Sequence, residues 1–476
     1  MKQPILCLCF ALFISTIAKA QEKWDLRKCI EYALTNNISV QQQDVQARFA
    51  KLTYDQSRMA QYPSANLSGN LLLASGRYQN PVSFGLTTQT SVSSGFTLQA
   101  GADLFNWYSK INTIEGNALE YKAAVANVDK LKNDIALNVA GAYLQALLAR
   151  QQVRVSEIQI SQTTAQLENT RKLVAAGNVP ELNAIQLEAQ LANDSSNLIT
   201  AQGNVTQAML LLKAYLNLDA GTPFDITTPN VESIPLDDLA TLQPESVYAL
   251  ALKNLPQQRA NEFHIQAASR YVASARGAMY PTFSLFGVVG TNYFSKSTQT
   301  VSSYTVNPAI GKVNFNNTDY FVYPVQPITQ YNTEFIPYFN QLYQNIREQV
   351  GISLSIPIAN GGSLRTNYAR SKLTLRSYEL QKELDNQSLK QNIYKAYNDV
   401  LTSMAKYNAS TKTVLANEKA FDFATRRYNV GLLNTIDLIT TQNNVFSARL
   451  QQLLAQFDYV FKMKVLEFYK GQGLKL

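Results

Sequence analysis

The second half of the chain restates the first. Ala33-Leu34-Thr35-Asn36 returns as Ala251-Leu252-Lys253-Asn254, and Tyr62-Pro63, followed by Leu67 and Gly69, returns as Tyr280-Pro281, followed by Leu285 and Gly287. Both matches share one offset, 251 − 33 = 280 − 62 = 218. Further on, Phe105-Asn106 matches Ala359-Asn360, and Gly177 with Asn183 matches Gly431 with Asp437, now at 359 − 105 = 431 − 177 = 254. The offset has grown by 254 − 218 = 36, so one insertion lies between Gly287 and Ala359. Two copies in register are a duplicated structural unit, and whatever one half folds into, the other must fold into as well. Repeat 1 is read as 21–218 and repeat 2 as 245–476. The segment 219–244, with Pro223, Pro229, Pro235 and Pro244, is read as a linker.

Residues 1–20 carry Lys2, the apolar run Ile5 to Ile14 and Ala18-Lys19-Ala20, the pattern of a secretory signal peptide cut before Gln21. Cys7 and Cys9 would leave with it, and Cys29 alone can form neither an intramolecular disulfide nor a zinc cluster. Loss of Lys2 and Lys19 takes the net charge from +8 to +6. The remaining basic residues are spread along helical stretches, which points to solvated faces and not to nucleic acid. After Gln21 no apolar run approaches the ~18 residues a membrane helix needs, so any crossing must be made by β-strands.

Four segments alternate in the manner of strands. Ala65, Leu67, Leu71 and Leu73 form the first apolar row, and Phe96, Leu98, Ala100, Ala102 and Leu104 the second. Phe283, Leu285 and Val289 form the third, and Ile352, Leu354, Ile356 and Ile358 the fourth. The lengths are close to the ~9–11 residues that cross a bilayer when tilted. Tyr62, Tyr78, Trp107, Tyr108, Tyr280 and Tyr293 stand near the ends, where interfacial aromatics belong. A water-soluble β-sandwich would give the same alternation.

Between the strand pairs and the chain ends run very long helical patterns. From about Ile111 to Ala176 there is no proline, and Val128, Leu131, Ile135, Val139, Ala142, Ala146, Ala149 and Val153 recur every three or four residues. Leu389, Ile393, Ala396, Val400, Met404, Tyr407, Thr411 and Val414 do the same between Leu364 and Tyr428. These are coiled-coil seams. Each doubles back at Gly177 or Gly431 into a return helix, Glu181 to Leu216 or Ile436 to Lys470, and a single helix is expected before each first strand, over Leu26 to Gln61 and Glu245 to Met279. The faces opposite the seams hold amides and hydroxyls, among them Gln151, Gln152, Ser156, Gln159, Gln162 and Thr163, then Gln387, Ser388, Gln391 and Asn392. Such faces line a wet lumen or simply meet solvent.

Four strands make an open sheet, and an open edge in hydrocarbon leaves backbone N–H and C=O groups unpaired at several kcal/mol each. The missing strands must come from other copies, and two, three or four copies in all would give eight, twelve or sixteen strands. Helices leave every strand on one side, so the links Ser75 to Ser94 and Lys296 to Gln349 face the other.

With repeat, signal, strands and hairpins together, the chain resembles the TolC-type outer-membrane efflux family over essentially its whole mature length. The most specific segment is Tyr428-Asn429-Val430-Gly431-Leu432 with Asp437, which is similar to the family's periplasmic hairpin tip. The resemblance implies an α+β homotrimer in outer-membrane lipid. Its 12-stranded barrel would be continued by a helical tunnel into the periplasm, and the tunnel would be met by a periplasmic adaptor and an inner-membrane pump. It further implies adaptor docking at Val430, Gly431, Leu432 and Gly177, and a gate in which Tyr428 links to Asn183 while Asp437 forms a ring of three carboxylates. Leu433 stands where the best characterised pattern has arginine, Thr440 where it has a second aspartate, and Asn183 replaces an aspartate. The expected gate therefore lacks an ionic latch and one carboxylate ring. From the residues alone, the tip glycines are helix C-caps, and Asp437 is open to a second role capping the return helix.

His264 lacks a second histidine or cysteine beside it, and no nucleophile elbow, P-loop or dinucleotide fingerprint occurs. No cofactor, metal or enzymatic activity is expected. The competing reading is a secreted coiled-coil scaffold or adhesin-like protein without a channel.

Overall fold

The computed structural model describes residues 23–79, 85–229, 234–295 and 298–471. The expected signal peptide, with Cys7 and Cys9, lies outside them. The element order is α1 (Leu26–Asn36), α2 (Ile38–Met59), β1 (Ser64–Gln79), β2 (Leu86–Phe105), α3 (Ser109–Ala175) and α4 (Glu181–Leu216). It then recurs as α5 (Pro244–Asn254), α6 (Pro256–Gly277) and β3 (Thr282–Phe294), and closes with β8 (Arg347–Ser355), α8 (Ser363–Asn429) and α9 (Thr435–Phe468). Between β3 and β8 stand β4 (Thr298–Val306), β5 (Gly311–Phe315), β6 (Thr318–Val322), β7 (Ile328–Phe335) and the short helix α7 (Tyr338–Gln344). The chain divides into two compact units that cut across the repeats. One comprises Met1–Thr53, Gly116–Ser269 and Leu373–Leu476, the other Tyr54–Glu115 and Arg270–Lys372.

In the helical unit the expected seams are the core. Val128, Ile135, Val139, Ala142, Ala146 and Ala149 of α3 are buried, as are Ile393, Ala396, Val400 and Val414 of α8. α3 and α8 have 67 residues each, about 100 Å of helix at 1.5 Å per residue. Two clusters mirror each other: α3 and α4 with Cys29 and Ala33 of α1, and α8 and α9 with Val247 and Ala251 of α5. Each expected leading helix is broken in two. At Leu255 the cause is Pro256, which disfavours helical torsions in the residue before it. At Asn37 the side chain takes over the local bonding, accepting from the Ser39 amide (2.9 Å) and donating to the Tyr215 carbonyl (2.9 Å).

The linker is no free spacer. Ile226 and Leu242 are fully buried, and Trp24 bridges to Ile226 as a single parallel pair. Tyr143 donates to the Thr227 carbonyl at 2.8 Å. Lys464, buried with Glu467 (2.8 Å), reaches the Pro235 carbonyl at 2.5 Å, while the Asp237 amide donates to Glu467 (2.8 Å). The expected solvated or lumenal amide face is also partly internal. Ser156, Gln159 and Thr163 are buried, whereas Gln387, Ser388, Gln391 and Asn392 are exposed.

In the other unit, four strands form one antiparallel sheet in the order β1-β2-β3-β8. β1 and β2 run well past their apolar segments, pairing from Ser64↔Gly101 to Gln79↔Leu86, so the expected link of Ser75 to Ser94 is mostly strand. β8 begins at Arg347, inside the expected outer link, and ends at Ser355, leaving Ile356 and Ile358 beyond it. It covers β3 only from Thr282 to Gly290. Beyond that point α7 takes over: Gln341 accepts from the Phe294 amide (3.0 Å) and donates to the Phe294 carbonyl (3.2 Å), and Asn345 donates to the Asn292 carbonyl (2.7 Å). No second layer makes a sandwich, because the other pairings among the described residues are two-stranded and Leu67, Leu71, Leu73, Ile352 and Leu354 remain exposed. No described helix is long and apolar enough to cross a membrane.

Candidate functional site at the hairpin tips

Both hairpins turn by the same device. Gly177 and Gly431 hold φ of +73° and +76°, a left-handed conformation that a Cβ would oppose. The Gly177 amide donates to the Val174 carbonyl and the Asn178 amide to the Leu173 carbonyl, both at 2.9 Å. In the second copy the Gly431 amide donates to Tyr428 (2.9 Å) and the Leu432 amide to Arg427 (2.8 Å). These paired bonds satisfy carbonyls that the helix end would otherwise orphan. A Cβ built on either glycine meets nothing within 4 Å, so the requirement lies in the backbone alone.

The return helices start differently. Asn434 caps α9: its Oδ1 accepts from the Asp437 amide (2.8 Å), and its Nδ2 donates to the Asp437 carboxylate (2.9 Å). Asp437 is thus engaged in the cap, and it is also exposed. Pro180 occupies the matching position before α4 and offers no capping side chain, so the Asn183 amide bonds only to the Pro180 carbonyl (3.1 Å).

Tyr428 is buried among Phe421, Ala424, Leu433 and Leu438. Its hydroxyl meets the fully buried Thr170 hydroxyl at 2.9 Å and accepts from Thr435 at 3.5 Å. The partner within the chain is therefore Thr170 and not the expected Asn183, which is half-buried on the first turn of α4. Leu433 lends its side chain to the same apolar cluster, a place a guanidinium could occupy only at a desolvation cost. Val430, Leu432, Ile436, Leu182 and Ile185 are all more than half exposed, a row of apolar side chains around the turns.

Further along the hairpins lies a buried polar layer that sequence reasoning missed. Gln442 Nε2 donates to Thr163 Oγ1 (2.8 Å), and the Thr163 hydroxyl donates to Asp194 Oδ2 (2.6 Å). Gln190 Nε2 donates to Asp194 Oδ1 (2.8 Å) and to Asn443 (3.0 Å), which answers with its own amide at 3.2 Å. Asp194 is only 2% exposed. The layer ties α3 and α4 of repeat 1 to α9 of repeat 2. The available signal was weak: Asp194 falls midway between Leu187 and Ala201 on the buried face of α4.

Elsewhere His264 stacks on Tyr378 (5.2 Å) with Nδ1 3.0 Å from Glu120, a packing arrangement. Among the described residues no group of three or more His, Cys, Asp or Glu side chains is placed to hold a metal.

The comparisons agree with the architecture. TolC of Escherichia coli is 20% identical over 96% of this chain and 84% of its own length, and the cation efflux system protein CusC of the same species is 22% identical over 94% and 86%. A crystal structure of CusC superposes with a TM-score of 0.75 at 17% identity, covering 96% of this chain and 93% of that one. The profile described as outer membrane efflux protein matches residues 29–218 and 332–468. With its duplicated strand pairs, long helical hairpins and open four-stranded sheet, the chain belongs to the outer membrane efflux protein family.

Proposed function

We propose that three copies of this chain close a 12-stranded barrel in outer-membrane lipid and continue it into the periplasm as a helical tunnel. The assembly is the exit duct of a tripartite efflux or secretion system. The observation that carries this is the sheet itself. β1 and β8 each have one neighbour, and large apolar side chains stand exposed on it, as Leu71 at 78% and Ile352 at 69% do. Such a sheet is tolerated in hydrocarbon only when closed, and a rotation that pairs β8 of one copy with β1 of the next closes it. A secreted scaffold would have no use for this exposed apolar sheet.

The tips are the contact with the rest of the system. Val430, Gly431, Leu432 and Gly177 present an apolar turn to a periplasmic adaptor, and the adaptor couples the duct to an inner-membrane pump that chooses the cargo. Tyr428 with Thr170, and Asp437 near the aperture, hold the gate, with Asn183 beside it. The signal peptide over 1–20 sends the chain out of the cytoplasm. Native mass measurement in detergent tests the assembly. Three chains per particle are expected, and a stable monomer that inserts into bilayers would refute the shared barrel.

A further inference from the structure

The insertion between β3 and β8 is a β-arm. β4 pairs with β7, and the β5–β6 hairpin stands between them in sequence as a second two-stranded sheet. It is the segment by which the second repeat exceeds the first, 36 residues by the offsets of the matching motifs.

The β5–β6 hairpin is two-faced. Lys312, Asn314, Asp319 and Phe321 share one side, where Lys312 approaches Asp319 (3.8 Å) and lies over the Phe321 ring (5.0 Å), and Asn314 donates to Asp319 (2.8 Å). On the other side the pairs Val313↔Tyr320 and Gly311↔Val322, with Phe315, present apolar groups that remain exposed. An isolated two-stranded hairpin is marginal in water, and this one leaves its apolar face uncovered. The edges of the longer ribbon are equally open. β4 contains no charged residue and no proline, and β7 contains only Glu334, so the usual guards against edge pairing are missing.

We propose that the occupant is the arm of the neighbouring copy, and that three arms pair edge to edge and face to face as a collar on the outer end of the barrel. This rests on the trimer proposed above. From Thr298 to Phe335 the charged residues are Lys312, Asp319 and Glu334, the first two already beside each other. Such a surface offers little electrostatic discrimination for a foreign partner and no repulsion against itself. Its place in the sheet supplies the neighbour: the arm leaves between β3 and β8, and β8 is the free edge on which the next copy's β1 must pair. Its root is fastened by Gln341, fully buried against β3. A rotation axis along the arms would set β7 of one copy antiparallel to β4 of the next, and a ring of such contacts closes on itself.

The test uses the full-length protein in intact cells, with Val313→Cys and a short bis-maleimide; the single native mature cysteine, Cys29, is fully buried and unavailable to the reagent. Covalent dimers and trimers of the chain are expected, and Phe315→Glu in the same background should lower the cross-linked fraction at least about tenfold, the effect of ~1.4 kcal/mol. Native mass of the same preparations in detergent is the control. Trimers without cross-links, or cross-links to a different protein, overturn the collar and leave the channel standing. Monomers in detergent overturn both.

Discussion

Tyr428 and Thr170, one from each repeat, meet hydroxyl to hydroxyl at 2.9 Å in the packed interior of the hairpin pair. If this bond restrains the gate, Thr170→Val should raise single-channel conductance as Tyr428→Phe does, each change removing about 1 kcal/mol. The double variant should add little, because both single changes delete one interaction. Asn183→Ala should leave conductance unchanged. An increase with Asn183→Ala alone would move the restraint to a contact between chains.

Asp437 has two separable roles. Asn434→Ala should cost about 1 kcal/mol of stability through the lost cap without altering block by multivalent cations. Asp437→Asn should weaken that block if the carboxylates of three copies converge at the aperture. Equal block in Asp437→Asn and the parent, recorded in planar bilayers, would leave only the cap.

The tip glycines should tolerate substitution poorly for reasons of backbone alone. Gly177→Ala and Gly431→Ala are each expected to cost about 1–2 kcal/mol, the strain of a left-handed alanine. Asparagine should be milder at both. Amide hydrogen exchange at the last turns of α3 and α8 reads the effect locally, and undisturbed exchange in the alanine variants would contradict it.

Lys464 and Glu467 form a pair about one-twentieth exposed that also holds the linker at Pro235 and Asp237. Lys464→Met strands a buried carboxylate and should destabilise by about 3–5 kcal/mol, whereas replacing both partners with apolar residues should cost less than the single change. Thermal unfolding followed by circular dichroism compares them, and a double variant less stable than Lys464→Met would show that the pair contributes net stability.

Cys29 is fully enclosed, and burial, with the Asp25 carboxylate adding to it, pushes its thiol from 9.0 to about 12. The folded state keeps this proton longer than the unfolded chain does. The contribution to stability is therefore complete below about pH 9 and is lost as pH rises from there toward 12. Maleimide should leave Cys29 unlabelled in the folded protein at pH 8 and modify it fully in denaturant; rapid native labelling would contradict the burial.

Much of this was legible in the residues because the long helices obey one period and the turns obey one chemistry. The return helix was readable as Glu181–Leu216 because Pro180 and Asn217 punctuate both ends. Strand lengths were not, since β1 and β2 continue through Ser75 and through Thr87 to Ser94, where alternation of apolar residues ends but backbone pairing does not. The break at Asn37 was hidden because it depends on the Tyr215 carbonyl, 178 residues away. The layer around Asp194 was hidden for the same reason: its partners come from three helices, and a buried amide differs from a solvated one only in what packs on it. The insertion was placed by the change of offset, but nothing local told that β4 would choose β7 over the main sheet.

The pairing of β2 with β3 joins the two repeats within the sheet over a dozen positions, from Ser93↔Phe294 to Phe105↔Phe283. In a ring of three chains, that internal seam and the seam between β8 and the next β1 alternate around the circumference, three inside chains and three between them. The sheet wall then comprises six near-equivalent half-chains of two chemical kinds, three of each in alternation. A substitution in one repeat changes every second wall element, so the lumen can carry two different linings at the same height without any loss of closure.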